Sequence, residues 1–514
     1  MRLALGIVIA ALTLTAAHAA DIPTDPNIWL EQDSPRAMAW VAAHNQSVAP
    51  LQADPRYQGF YDEALALASA KDRIPVPSFT HGEIYNFWQD ADHLRGLWRK
   101  TTLADYEKPN PTWTTVLDID ALGKAEGKSW VLKGIDCLPP EERLCLISLS
   151  DGGEDAVEVR EFDLAAGAFV AGGFHLPRGK HRVAWEDANH LLVASEWTPG
   201  EATPSGYPYI VKRLTRGQPL SAAVEIYRGE KSDGGYGVSP AVIVDGAGNR
   251  FGYIERPLDT FHHQTFVVVP RGVEKLAVPE KSEIQDMVAG RVIVLLNEAW
   301  QAGGRSFPSG SLVALDLKAA VADPANLHPT LIWAPGPRES LSEAGATRDK
   351  LILATLDNVR GRAFVYTPTA DGAWTHSRID LPDNLTLGIA AADRRSDLAF
   401  VGGSGFLQPS ALWLTRAGEG PPREVKSLPA KFDASREVVD QFEATSSDGT
   451  RIPYFIVHRR GLPQDGSTPT LLYAYGGFQV SLTPSYSPAI GKLWLERGGA
   501  YVIANIRGGG EFGP

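Results

Sequence analysis

The stretch Thr470-Leu471-Leu472-Tyr473-Ala474-Tyr475-Gly476-Gly477-Phe478 decides how this 514-residue chain is interpreted. Residues 470–475 are nearly all apolar or aromatic, and such a run predicts a strand buried on both faces of a sheet. Two glycines follow directly, and residues without a Cβ let the backbone approach another group closely. The stretch therefore predicts a buried strand that ends in a tight loop.

The segments around this strand predict an α/β sheet. Residues 441–445 and 452–458 have the pattern of two strands, residues 489–497 fit a helix, and residues 500–506 form another apolar run. A hairpin followed by strand, helix and strand is the opening of an α/β-hydrolase-type sheet. We therefore predict that residues 433–514 are the first part of an α/β-hydrolase domain.

Upstream of that region, residues 78–432 read as a long series of short strands separated by turn dipeptides such as Asp151-Gly152 and Asp371-Gly372. Regularly spaced short strands are typical of sandwiches, barrels and propellers. A length of about 350 residues divides into about seven units of about 50 residues, the size of a four-stranded propeller blade. The sequence therefore predicts a β-propeller with seven blades.

The N-terminal part predicts a leader and then helices. Residues 1–19 combine Arg2, a short apolar stretch and Ala17-His18-Ala19, which is the pattern of a secretory signal peptide. The apolar stretch is shorter than the roughly 20 residues that span a bilayer, so a membrane anchor is disfavoured. We predict an exported protein, periplasmic or secreted, without a membrane partner after cleavage. Residues 20–77 predict helices, with Ser34-Pro35 as a helix start and a second helix over 57–70.

Charge and motif content exclude several functions. The formal net charge is -12, and no Lys/Arg run is longer than a pair, so we expect no nucleic-acid partner. We find no His-Glu-x-x-His motif and no EF-hand loop, and the adjacent His262 and His263 would point to opposite faces of a strand. We therefore predict no metal and no cofactor. Export permits a disulfide between Cys137 and Cys145, but the sequence alone does not decide whether it forms.

The chemistry expected at the loop is stabilisation of an oxyanion. In α/β-hydrolases the loop after the third strand helps to build the oxyanion hole, and the Tyr475 hydroxyl could donate a hydrogen bond there. The alternative is that Tyr475 is a core aromatic residue and the glycines form a simple turn.

The nucleophile of such an enzyme lies on a Gly-x-Ser-x-Gly elbow, which these 514 residues lack. Gly402-Gly403-Ser404-Gly405-Phe406 comes near, but we interpret it as a propeller turn. Because the triad order is Ser, Asp or Glu, then His, all three members are expected beyond Pro514. None of the 12 histidines is then the triad base, and His458 is interpreted as a surface residue at a strand end.

A second glycine-rich segment, Gly508-Gly509-Gly510-Glu511-Phe512-Gly513, matches the pattern G-x-G-x-x-G. A dinucleotide fingerprint also needs a helix that follows at once and an acidic residue about 20 positions further on. Pro514 follows here, so we predict no dinucleotide site.

Four motifs together resemble the prolyl oligopeptidase family of serine peptidases. They are Asp25-Pro26-Asn27-Ile28-Trp29-Leu30-Glu31, Ser447-Asp448-Gly449-Thr450-Arg451-Ile452-Pro453-Tyr454, Leu472-Tyr473-Ala474-Tyr475-Gly476-Gly477-Phe478 and Asn505-Ile506-Arg507-Gly508-Gly509-Gly510-Glu511. The resemblance implies a seven-bladed propeller that caps an α/β-hydrolase domain, with residues 20–77 packed on the hydrolase domain. It also implies that Tyr475 is the oxyanion donor and that Phe478 lines the pocket for the residue before the cut.

The resemblance implies a serine-type oligopeptidase that forms an acyl-enzyme and hydrolyses short peptides. Most family members cut after proline, and a related branch cuts after basic residues. Because the triad is absent from these residues, we expect the 514-residue chain itself to be inactive and poorly stable. The alternatives are a propeller that serves as a non-catalytic binding module and an exported esterase of the same architecture.

Overall fold

The computed structural model describes residues 25–463 and 465–514. The first unit, which ends at Ala68, contains a 3-10 turn and three helices: Ile28–Glu31, then α1 (Pro35–Gln46), α2 (Ala49–Gln52) and α3 (Tyr57–Ala68). The Ala37 backbone N–H donates to Ser34 Oγ at 3.2 Å, so the predicted helix start is confirmed. The predicted signal peptide lies outside the described residues, and the packing of residues 20–77 on a hydrolase domain stays a prediction.

Seven antiparallel sheets follow one another along the described chain from Ser78 to Ser427, as the strand-rich pattern predicted. The strands of sheets 1 to 3 are β1 (Ser78–Thr80), β2 (Glu83–Trp88), β3 (Leu97–Thr101) and β4 (Thr114–Asp118); β5 (Trp130–Cys137), β6 (Leu144–Asp151), β7 (Val157–Asp163), β8 (Ala168–Phe169) and β9 (His175–Gly179); and β10 (Arg182–Asp187), β11 (His190–Ala194), β12 (Ile210–Thr215) and β13 (Val224–Arg228). Both β8 and β9 pair with β7.

Sheets 4 to 7 repeat this four-stranded order. Their strands are β14 (Ser239–Val244), β15 (Arg250–Pro257), β16 (His263–Val269) and β17 (Gly272–Lys275); β18 (Ser282–Val288), β19 (Arg291–Leu296), β22 (Leu312–Asp316) and β23 (Thr330–Trp333), with the inserted hairpin β20 (Trp300–Ala302) and β21 (Arg305–Phe307); β24 (Glu339–Ala346), β25 (Leu351–Asp357), β26 (Arg360–Pro368) and β27 (Trp374–Arg378); and β28 (Thr386–Ala392), β29 (Leu398–Ser404), β30 (Ala411–Arg416) and β31 (Glu419–Ser427). Short helices α4 (Leu103–Tyr106), α5 (Ile119–Glu126) and α6 (Leu317–Ala322) lie between strands.

The strands are apolar on both faces because each sheet packs against two others. In β25, Leu351 and Leu353 belong to a core shared with sheet 5, whereas Ile352 belongs to a core shared with sheet 7. This is the period-2 alternation of a strand, with two buried faces instead of one. A run such as Leu351-Ile352-Leu353-Ala354 is therefore required by the packing of successive sheets.

Hydrophobic clusters connect the sheets into a continuous series. One cluster is shared by each pair of successive sheets, from sheets 1 and 2 to sheets 6 and 7. A further cluster joins sheet 7 back to sheet 1. There the Phe400 ring packs on Phe79 and Tyr106, with ring centroids 5.2 Å and 5.4 Å apart. The last sheet thus packs on the first.

The variant Phe400→Ala tests this junction. Phe400 is fully buried, and truncation of a buried phenylalanine typically costs about 3–5 kcal/mol. We expect the free energy of unfolding to fall by about that amount, measured by denaturant titration of the purified protein. Phe261→Ala, at an exposed phenylalanine, is the matched control and should change it by about 0.5 kcal/mol or less. Equal denaturant concentrations at the unfolding midpoint for the two variants would contradict the packing of sheet 7 on sheet 1.

The C-terminal sheet contains β32 (Glu437–Thr445), β33 (Arg451–Arg459), β34 (Thr470–Ala474) and β35 (Ala500–Ala504), in the spatial order β32-β33-β35-β34. The strands β34 and β35 are parallel, and α7 (Pro488–Leu493) with a 3-10 turn (Leu495–Arg497) connects them. The predicted hairpin, strand, helix and strand are therefore present in that order.

The prediction that residues 470–475 form a strand buried on both faces is wrong. Leu472, within β34, is 64% exposed, and Leu471 and Tyr473 are exposed as well. The reason is the strand order, which puts β34 at the edge of the described sheet and β35 in its interior.

Two smaller sequence features are also settled by the strands. Cys137 and Cys145 face each other in the register of β5 and β6 and form a disulfide bond. Gly402, Gly403 and Ser404 lie within β29, where they pair with neighbouring strands, so the interpretation of this segment as a turn is wrong for these three residues.

Candidate active site

The loop that follows β34 presents Tyr475 and Phe478, the two residues singled out from the sequence. We call residues 475–482 the Tyr475 loop. Tyr475 is 39% exposed and Phe478 is 74% exposed. Phe478 and Gln479 both have positive φ angles, 54° and 57°. Left-handed conformations at non-glycine residues are uncommon and tend to occur at functional sites, so the loop is held in an unusual shape by its surroundings.

Gly477 makes room for the Tyr475 side chain. A Cβ placed on Gly477 would lie 2.7 Å from the Tyr475 hydroxyl oxygen. The tyrosine ring therefore folds back over its own loop, which only glycine at this position permits. Among the described residues, none forms a hydrogen bond with the Tyr475 hydroxyl. The hydroxyl is thus open to a bound molecule.

A second loop, residues 505–513, packs against the Tyr475 loop; we call it the glycine loop. A Cβ on Gly508 would overlap the carbonyl oxygen of Gly476, and a Cβ on Gly510 would overlap that of Gln479. The Gln479 backbone N–H also donates to the Gly508 carbonyl oxygen at 3.1 Å. Backbone therefore packs directly on backbone, which accounts for the first two glycines of the G-x-G-x-x-G pattern, Gly508 and Gly510, without a nucleotide.

Arg507 ties the glycine loop to the turn between β32 and β33. Its guanidinium donates to the Asp448 carboxylate at 3.0 Å and to Ser446 Oγ at 3.2 Å. A backbone hydrogen bond from Thr450, with the positive charge of Arg507, lowers the pKa of the Asp448 carboxyl to about 2. Asp448 is therefore ionised at neutral pH and keeps this surface contact charged on both sides.

The seven-sheet region contacts this site through the first strands of sheets 6 and 7. Thr386 Oγ1 of β28 donates to the Pro484 carbonyl oxygen at 2.6 Å, and Ser340 Oγ of β24 donates to the Glu511 carbonyl oxygen at 3.0 Å. A cavity of about 380 Å³ lies between these strands and the two loops, and Ser342, Gln479 and Ser481 help to line it. A polar space thus adjoins the Tyr475 loop.

The histidines do not form a catalytic triad in the part of the chain that the structure describes. His458 is next to the last residue of β33, as predicted, but its side chain is only 16% exposed and its Nε2 lies 2.8 Å from Asp440 Oδ2. A hydrogen bond of 3.1 Å joins His181, just before β10, and Ser195, just after β11, which the sequence did not indicate. Ser195 is buried, and burial lowers the pKa of the His181 imidazole. A serine that substrate cannot reach is a structural partner.

Two further features of the described residues concern metal ligands and membrane helices. Over residues 25–463 and 465–514, no three side chains of His, Cys, Asp or Glu come together as metal ligands. Within the same ranges, no helix has the length and apolarity needed to cross a bilayer. His262 instead bonds to the Asp259 carboxylate of its own loop at 2.9 Å.

Comparison with known families agrees with this architecture. Residues 15–420 match the family model described as the prolyl oligopeptidase N-terminal beta-propeller domain. The relatives carry the same class of name. The chain is 47% identical over 506 residues to the uncharacterized peptidase y4nA of Sinorhizobium fredii, an alignment that covers 96% of this chain and 68% of the relative. The fold and these matches define a propeller-bearing peptidase, and the chain belongs to the prolyl oligopeptidase family.

Two further relatives have described activities in their names. A segment of this chain is 36% identical over 135 residues to the prolyl endopeptidase of Elizabethkingia miricola, which covers 26% of this chain and 19% of that protein. The solved structure of a post-proline cleaving enzyme from Rickettsia typhi superimposes with a TM-score of 0.82 at 28% identity. That match covers 95% of this chain and 72% of the Rickettsia chain.

Proposed function

We propose that these 514 residues form the propeller and the oxyanion side of the active site of a serine oligopeptidase that cleaves short peptides after proline. The observation that carries the proposal is the Tyr475 hydroxyl, which is open and sits on a loop at the end of a parallel strand. The backbone contacts between the Tyr475 loop and the glycine loop favour a fixed position for this donor.

The proposed reaction is acyl transfer. A serine attacks the carbonyl carbon of the scissile peptide and gives its proton to the histidine, while the carbonyl oxygen becomes an oxyanion that accepts a hydrogen bond from the Tyr475 hydroxyl. The peptide C–N bond then breaks, the amine leaves with the proton from the histidine, and water hydrolyses the acyl-enzyme. Phe478 offers an exposed apolar ring for the side chain before the cut, which suits the proline ring. The serine, its acidic partner and the histidine belong to a Gly-x-Ser-x-Gly elbow and later segments that are not among these residues.

The seven sheets are proposed to be the blades of one closed propeller. The cluster that joins sheet 7 to sheet 1 supports this reading, as does the contact of successive innermost strands from β10 to β28 and from β28 to β1. Residues 433–514 would then be the first part of the α/β-hydrolase domain beneath it. A propeller over the active site favours short peptides over folded proteins. The leader pattern in residues 1–19 supports export of the enzyme.

The test begins with the coding sequence beyond codon 514. If a serine elbow follows, the product of the complete reading frame is assayed on matched short peptides with proline or arginine before the scissile bond, and on acyl esters. We expect hydrolysis after proline, and no hydrolysis by the purified 514-residue chain. Preference for arginine would indicate the basic-residue branch, and hydrolysis of esters alone would indicate an esterase. A stop codon after Pro514 would favour a non-catalytic binding module.

A further inference from the structure

Glu511 is a buried carboxylate that the proposed reaction does not use. It is 1% exposed and lies in the glycine loop after β35. In the described ranges, no Lys or Arg side chain comes within ion-pair distance of it. A buried carboxylate is costly unless hydrogen bonds compensate, so its bonding partners indicate why it is there.

The Glu511 side chain holds the far end of the Tyr475 loop. Its Oε1 accepts a hydrogen bond from the Leu482 backbone N–H at 2.7 Å and another from Asn505 Nδ2 at 3.0 Å. The same Asn505 Nδ2 donates to the Leu482 carbonyl oxygen at 2.7 Å. Three residues therefore close one small network, and both backbone polar groups of Leu482 are bound within it.

The Glu511 main chain is held from the other side by the propeller region. Its carbonyl oxygen accepts the hydrogen bond from Ser340 Oγ, and Ser340 is itself buried on β24. One residue thus connects the innermost strand of sheet 6 with the end of the Tyr475 loop. A shift of sheet 6 relative to the C-terminal sheet would be transmitted to that loop.

The three glycines before Glu511 belong to the same arrangement. A Cβ on Gly509 would overlap the Glu511 carboxylate, so Gly509 gives the side chain room to fold back. Gly508 and Gly510 contact the Tyr475 loop at Gly476 and Gln479. The segment Gly508-Gly509-Gly510-Glu511 therefore supports the Tyr475 loop at three points along its length.

We propose that Glu511 is a positioning residue that fixes the Tyr475 loop, and with it the oxyanion donor, by accepting hydrogen bonds from Leu482 and Asn505 while Ser340 anchors its main chain. This inference rests on the proposed function, because it assigns Glu511 to the same active site. It concerns the geometry of the loop, since Glu511 is buried and does not contact the substrate.

The experiment is a double-mutant cycle in the product of the complete reading frame, with active sites counted by titration with a covalent serine inhibitor. We expect Glu511→Ala to lower kcat per active site by about 10- to 50-fold with KM changed less than about threefold, because transition-state stabilisation is lost. Glu511→Gln should stay within about threefold of the unchanged enzyme, since its amide oxygen can accept both bonds. In the Tyr475→Phe background, Glu511→Ala should lower kcat by less than about twofold.

The control variant is Glu496→Ala. Glu496 accepts a hydrogen bond from the Asp433 backbone N–H and lies outside both loops. Its replacement by alanine should therefore leave kcat unchanged. If Glu511→Ala does not fold, Ser340→Ala should lower kcat by about three- to tenfold and lose that effect in the Tyr475→Phe background. The inference would be overturned if the double variant lost kcat by the product of the two single losses. It would also be overturned if Glu511→Gln were as impaired as Glu511→Ala. An inactive unchanged enzyme would instead refute the proposed function.

Discussion

Replacing Tyr475 with phenylalanine in the complete enzyme is expected to lower kcat by about 100- to 1000-fold with little change in substrate binding. Loss of one oxyanion donor typically has this effect, about 3–4 kcal/mol of transition-state stabilisation. The hydrogen bond from the donor is weaker to the neutral carbonyl oxygen of the bound substrate than to the oxyanion. Its loss therefore lowers kcat and leaves KM nearly unchanged. The hydroxyl has no other described bond to lose, so the substitution leaves the fold intact.

Steady-state kinetics on a proline-containing peptide, together with the melting temperature, would measure this effect. Tyr473→Phe is the matched control, because Tyr473 is also exposed and lies two residues earlier on β34. It should retain nearly full activity. An unchanged kcat for Tyr475→Phe would show that another group is the donor, even if the enzyme is a prolyl oligopeptidase as proposed.

The second large effect is expected for Gly508→Ala. Gly508 has a φ of 91°, and an added Cβ would overlap the Gly476 carbonyl oxygen. Because this neighbour is backbone, it cannot rotate away, and the Tyr475 loop must move by about 1 Å. A displacement of that size can cost about 100-fold in rate, so we expect kcat/KM to fall by at least that factor.

Gly513→Ala separates the contact from the backbone conformation. Gly513 lies in the same loop with a φ of 87°, so alanine has a similar conformational cost there, but no atom of the described residues lies within 4 Å of its added Cβ. We expect it to lose less than about fivefold in kcat/KM. Equal losses for the two variants would mean that the left-handed backbone, and not the contact between the loops, matters.

Much of the fold could be predicted because local patterns determine it. The helix start at Ser34, the series of short strands and the order of elements from residue 437 to residue 504 all follow from periodicity, turn residues and caps. The burial of β34 could not be predicted in the same way. Its apolar residues indicated two covered faces, yet sheet order depends on contacts between distant segments, and that order puts β34 at an edge.

The candidate site was predictable only in part. Tyr475 and Phe478 stood out because a tyrosine, two glycines and a phenylalanine follow an apolar strand, and their roles stay predictions. Glu511 carried a weaker signal, a carboxylate directly after three glycines, whose meaning depends on the backbone of a loop some 30 positions earlier. Ser340 could not have been found, since its bond to Glu511 joins residues 171 positions apart.

The junction between the last sheet and the first also affects how the protein is made. Phe79 emerges from the ribosome about 320 residues before its partner Phe400, an interval of tens of seconds at about 5–20 residues per second. Throughout that time one apolar face of sheet 1 has no cover. Newly made chains would therefore depend on holding chaperones until the last of the seven sheets arrives, and Phe400→Ala should increase the share of chains lost to aggregation during synthesis.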